Sequence, residues 1–124
     1  MISVRTTEKF NNDVFDAQIF VRDWAYTNGF NPDESEDKLQ NELARVVKEI
    51  RKFPLSFASL KETPYIKRAR CFFDLYAIEY MVRPTSAKTM LEVEECLLGA
   101  LVPLKSGRSQ DINMPSDEFD IEKN

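Results

Sequence analysis

The sequence predicts an α+β fold in the order β-α-α-β-β-β, a helical hairpin packed on one face of a small curved, mostly antiparallel sheet. Apolar residues recur at spacings of three and four over two stretches, about residues 7–28 and 32–53, as helices require. Three later runs, 65–73, 75–83 and 89–98, alternate with the period of two that strands require. Asn28-Gly29, Pro54, Pro64 and Pro84 punctuate these runs where chain breaks are needed.

Each element has its own warrant. Ile2 and Val4 alternate with Ser3 and Arg5, which predicts a first strand. Thr6 or Thr7 is suited to cap the first helix. Phe10, Val14, Ala17, Val21 and Trp24 then form one helical face, and Phe15, Ile19 and Phe20 widen it, so burial is expected around much of this helix. Pro32 followed by Asp33, Glu34 and Glu36 starts the second helix, because proline suits a first turn and carboxylates suit its positive end. Leu39, Leu43, Val46, Val47, Ile50 and Phe53 make its apolar stripe, and Pro54 stops it.

A loop is expected over 54–64. In the next strand Ala69, Cys71 and Phe73 share one face and Arg68 and Arg70 the other. Tyr76, Ile78, Tyr80 and Val82 oppose Ala77, Glu79, Met81 and Arg83 in the second. In the third, Leu91, Val93 and Leu97 alternate with Glu92, Glu94 and Cys96, and Glu95 falls on the apolar side, which predicts a bulge or an early end there. Residues 1–104 are expected to form the folded domain and 105–124 an acidic, flexible tail.

Composition narrows the chemistry. The 124 residues contain no His, which excludes His metal ligands, Ser-His and Cys-His pairs and a His base. The two cysteines, Cys71 and Cys96, sit in apolar runs and are expected to be buried thiols. No signal-peptide core or membrane span is present, so a soluble cytoplasmic protein is the expectation, with no cofactor, no metal and no membrane partner. The formal charge of −4 conceals structure. Residues 1–40 carry −4, residues 41–107 carry +3 and residues 108–124 carry −3, and within the middle the run 45–70 alone carries +6.

That run supplies the candidate site. Arg68 and Arg70 suit bidentate recognition of phosphate or carboxylate. They equally suit a charge ladder with Glu79, Glu92 and Glu94. Arg45, Lys48 and Lys52 lie opposite the apolar stripe of the second helix, as a solvated face or as a contact for RNA or an acidic partner. Lys61 lies in the Pro-bounded loop, as plain surface or as a further cation. Tyr80 reads as a core aromatic or a stacking platform, and Arg83 completes the binding candidates. The segment 117–122, Asp-Glu-Phe-Asp-Ile-Glu, is either a solvated appendage or a cover for the basic region.

The stretch from Phe53-Pro54 through Tyr76-x-Ile78-x-Tyr80 and Leu91-x-Val93 to Cys96-Leu97-Leu98-Gly99-Ala100, with an Arg at 68 or 70, resembles the RelE/ParE superfamily of type II toxin–antitoxin toxins over roughly residues 1–101. The resemblance implies a growth inhibitor acting on translation through mRNA cleavage on the ribosome, or on DNA gyrase, and neutralised by an antitoxin that wraps it. As an enzyme it would be a metal-independent endoribonuclease, with Arg68, Arg70 and Lys61 as the catalytic cations. Leu98 stands before Gly99 where several relatives carry His, and no Tyr follows Tyr80, which shifts weight from cleavage towards binding. The alternatives are a non-catalytic interaction module on the same fold and a mobile-element regulatory protein.

Overall fold

In a computed structural model, residues 2–60, 63–86 and 89–104 are described. The order is β1 (Ser3–Thr6), α1 (Glu8–Thr27), α2 (Pro32–Lys52), β2 (Ala58–Leu60), β3 (Thr63–Cys71), β4 (Tyr76–Ser86) and β5 (Thr89–Pro103). The five strands form one sheet in the order β1-β5-β4-β3-β2. β1 runs parallel to β5 and the other pairs are antiparallel. The α+β architecture expected from the sequence is the one observed. The short β2 is an addition to it, because three residues of Ala-Ser-Leu carry no readable alternation. The expected tail, 105–124, and Lys61 lie outside the described residues.

Thr7 joins the first helix to the sheet. Its hydroxyl accepts from the Phe10 amide at 3.0 Å and donates to the Gly99 carbonyl at 2.9 Å, while its own amide donates to the Leu98 carbonyl. The far end of α1 closes with Gly29 at φ +81°, where the left-handed turn lets Phe30 N–H reach the Ala25 carbonyl at 2.8 Å. Asn31 caps α2 by accepting from the Glu34 amide at 3.1 Å.

Leu39, Leu43, Val46 and Ile50 bury the stripe of α2, each contributing about 1.5–3 kcal/mol relative to exposure. The strands answer with Ala69 and Cys71 on β3, Tyr76, Ile78, Tyr80 and Val82 on β4, and Cys96, Leu98 and Leu101 on β5. β5 shifts register against β4 at three places, two of them single-residue bulges and the third between the Pro84–Val93 and Ser86–Thr89 pairs. Arg83 and Pro84 pair with Glu95 and Val93, leaving Glu94 as the extra residue, close to the irregularity expected at Glu95. Glu79 and Tyr80 pair with Ala100 and Leu98, leaving Gly99 as the second. The strand therefore continues past Gly99 to Pro103 rather than ending at residue 98. After that bulge the Leu101 amide donates to Asp13 Oδ2 at 3.0 Å, tying β5 to α1.

The expected burial of α1 is corrected. Its core residues are Phe10, Ala17, Val21 and Ala25. Phe15, Ile19, Phe20 and Trp24 are exposed. Phe73 also departs from its expected inward position. It is 80% exposed, in a turn where Phe72, Phe73 and Asp74 all take left-handed backbone, with φ of 53°, 58° and 62°.

Candidate functional site

Two surfaces carry the candidate residues: the sheet face away from the helices, and the outer side of the helical hairpin. Strand alternation places Arg68, Arg70, Glu79, Arg83 and Glu95 on the sheet face, because Ala69, Cys71, Tyr80, Val82 and Cys96 fill the other.

Charges on that face are largely matched. Arg68 lies opposite Glu79, with Nε 3.6 Å from Oε2. That Nε is itself buried and has no hydrogen-bond acceptor among the described residues. Arg83 reaches Glu95 at 2.6 Å and Glu94 at 3.3 Å, and Arg5 reaches Glu95 from the other side at 2.9 Å. Glu95 therefore links β1, β5 and β4 on one face. The expected ladder is present between Arg68 and Glu79, but Glu95 rather than Glu94 is its centre. Arg70 differs. It is exposed, faces Ala77, and makes no ion pair among the described residues.

Tyr80 is not a surface binding residue, which corrects that candidate. It is 1% exposed, its hydroxyl donates to the Pro54 carbonyl at 2.7 Å, and its ring meets Phe57 edge-on at 6.3 Å. Burial raises its pKa above the ordinary tyrosine range. Burial likewise pushes the Cys71 thiol up to about 12 and the Cys96 thiol up to about 11. These three groups keep their protons at neutral pH and supply no nucleophile or base there. Leu98, at the position where several members of the resembled family carry His, points into the core and is 1% exposed.

Lys67 is a residue that charge counting missed. It shares the inward face with Ala69 and Cys71, is 6% exposed, and donates from Nζ to Ser59 Oγ at 2.9 Å and the Phe57 carbonyl at 3.2 Å. Its position two residues before Ala69 was the available signal. The buried ammonium fastens the segment between α2 and β3 to the sheet instead of adding to the surface charge.

On the hairpin, Arg45 clasps Glu42 with two hydrogen bonds of 2.8 and 3.0 Å. That contact, against an opposing effect of burial, holds the Glu42 carboxyl below its usual range. Lys48 and Lys52 are exposed and make no ion pair among the described residues. Arg22 braces the hairpin by reaching Asp33 at 2.7 Å and Glu36 at 2.9 Å on α2.

The outer side of α1 is the larger surprise. Phe15 (61% exposed), Ile19 (46%) and Tyr26 (81%) line one outward stripe. Phe20 and Trp24 line a second, extended by Phe30, which stacks on Trp24 at 5.3 Å with 8° between the rings. Large aromatic and aliphatic side chains concentrated on one helix are the composition of a protein-recognition surface. The signal was present in the sequence: more large apolar residues than a single core-facing stripe accommodates.

No protein-family model and no curated protein matches the chain. Among solved structures it is similar to a chain of the chromosomal ParDE TA (toxin–antitoxin) system from P. aeruginosa, at 17% sequence identity and a TM-score of 0.56, covering 83% of this chain and 96% of that one. The two share a fold. Among the described residues, no helix is long and apolar enough to cross a membrane.

Proposed function

We propose that this chain is the toxin-like component of a type II toxin–antitoxin system, acting in the cytoplasm and held by a cognate antitoxin. The observation that carries the reading is the exposed apolar surface of α1, on a fold shared with a ParDE chain. Such a surface favours a stable protein partner that covers it. Of the two modes of action in the resembled family, binding to DNA gyrase fits the residues better than mRNA cleavage. Cleavage through a ribose 2′-hydroxyl needs a base, an acid and a free cation at the phosphate. Here Tyr80 and both cysteines are buried in protonated form, Leu98 is a core residue, and Arg68 and Arg83 face carboxylates.

Induced expression in a bacterial host tests this. The expected result is growth arrest with filamentation and DNA breaks, relieved by co-expressing the cognate antitoxin. Cleavage of mRNA on translating ribosomes would overturn the binding mode and reinstate Arg68 and Arg70 as catalytic cations. The apolar face of α1 supports one other reading, a non-catalytic interaction module on the same fold. Absence of any growth effect, together with a stable complex, selects that reading.

A further inference from the structure

A groove of about 540 Å³ lies between α1 and α2. Phe10 and Val14 of α1 and Leu43 and Val47 of α2 line it, and Lys48 and Arg51 stand at its edge. Lys48 and Arg51 make no ion pair among the described residues, unlike Arg45, which Glu42 neutralises. The groove thus combines an apolar floor with unmatched positive charge, and it is separate from the stripes of Phe15, Ile19 and Tyr26 and of Phe20 and Trp24.

The chain holds one segment of complementary chemistry. Residues 117–122 read Asp-Glu-Phe-Asp-Ile-Glu, four carboxylates with Phe119 and Ile121 between them and no basic residue. In an extended segment, Phe119 and Ile121 fall on one side and Glu118, Asp120 and Glu122 on the other. We propose that this segment seats in the α1–α2 groove of its own chain, Phe119 and Ile121 against the floor and the carboxylates against Lys48 and Arg51.

Three further observations bear on it. The volume falls in the range of sites that hold a few side chains. The described chain leaves the sheet on the same side as α2: Leu104 N–H bonds to Leu75 O, Leu75 N–H to Phe72 O, and Phe72 N–H to Glu42 of α2. A chain of fifteen residues, the separation from Leu104 to Phe119, can span at most about 50 Å, so reach does not limit the contact. A tether of this length also gives an effective concentration in the millimolar range, enough for a weak contact to be populated. Seated there, the segment competes with any other acidic partner for the basic side of the hairpin. The proposal does not depend on the toxin reading.

Amide hydrogen exchange on the full chain tests it. At about 10 mM salt, amides 117–122 should exchange on the order of tenfold more slowly than a random coil, and the protection should vanish near 1 M salt as the Debye length falls from about 30 to about 3 Å. Phe119→Ser with Ile121→Ser, which alters no described residue, should abolish the protection. Lys48→Glu with Arg51→Glu should abolish it too, and replacing the four carboxylates by Lys in that variant should restore it. Random-coil exchange in the unaltered chain would overturn the proposal. So would protection that survives Lys48→Glu with Arg51→Glu, which places the seat elsewhere. Protection that rises with protein concentration would also overturn it, because the segment would then occupy a second copy.

Discussion

Replacing Tyr80 by Phe deletes one oxygen from the centre of the core and leaves everything else in place. The ring keeps its burial and its edge-on contact with Phe57 at 6.3 Å. What disappears is the hydrogen bond of 2.7 Å to the Pro54 carbonyl. Pro54 is buried at the end of α2, so its carbonyl loses this partner without gaining bulk water. A buried acceptor left unsatisfied costs about 1–3 kcal/mol, and removing the hydroxyl's own desolvation returns part of that, giving a net loss of about 1–2 kcal/mol. For a domain of this size, each kcal/mol lowers Tm by about 4–8 °C. Thermal and urea unfolding followed by circular dichroism read this directly, with an unchanged m value because the surface exposed on unfolding stays the same. Amides in the segment between α2 and β3 should exchange faster, since the bond anchors that segment. A stability change below about 0.3 kcal/mol would refute the reasoning, because it lies under the cost of any unsatisfied buried carbonyl.

Alkaline stability should fall. Cys71 and Cys96 keep their protons in the folded chain to about 12 and about 11, against 9.0 when unfolded. Their contribution is complete below pH 9 and is lost as pH rises through the folded values, by about 1.4 kcal/mol per pH unit for each thiol. Urea midpoints that stay level from about pH 8 to about pH 10.5 would contradict it. Glu95→Gln should destabilise by about 1 kcal/mol at low salt and less at high salt, since Arg5 and Arg83 lose a shared, partly buried counter-charge. Equal losses at both salt concentrations would instead indicate packing. Phe73→Asn should stabilise by about 0.5–1 kcal/mol, because Asn tolerates the left-handed φ of 58° and the exposed ring buries little; a lower Tm would count against the strain.

The second helix was legible because its sequence is amphipathic, with one stripe, one polar side, a proline start and a proline stop; only Phe53, expected in the stripe, departs, lying at the C-cap and 56% exposed. The first helix was not, because apolar residues surround it. Its periodicity offers several candidate faces, and the buried one carries Phe10, Ala17, Val21 and Ala25. Phe15 and Ile19 are as apolar as the core but lie off that face. Local pattern also located the irregularity near Glu95, yet the placement of Glu95 between two arginines depends on β1 joining β5 in parallel, a pairing across some ninety residues. Lys67 illustrates the reverse. Its strand parity with Ala69 and Cys71 places it inward, whereas the summed charge of residues 45–70 carries no information about which side of the strand it takes.

These placements change what the charge distribution means. The +6 of residues 45–70 includes one ammonium in the core, Lys67, and two arginines matched by carboxylates, Arg45 and Arg68. Among the described residues of that run, the exposed cations without an ion pair are Arg70 on the sheet and Lys48, Arg51 and Lys52 on the last turns of α2. A phosphate-binding surface on the sheet would require several free cations converging on one point. The sheet instead alternates Arg68 with Glu79, and Arg5 and Arg83 with Glu95, so its net field is small. On the proposed function the recognition surface is then the hairpin, where the α1 stripes offer apolar area and the end of α2 offers charge. A partner that engages both would combine a desolvated aromatic centre with electrostatic steering. Salt should then slow its association while leaving its dissociation nearly unchanged.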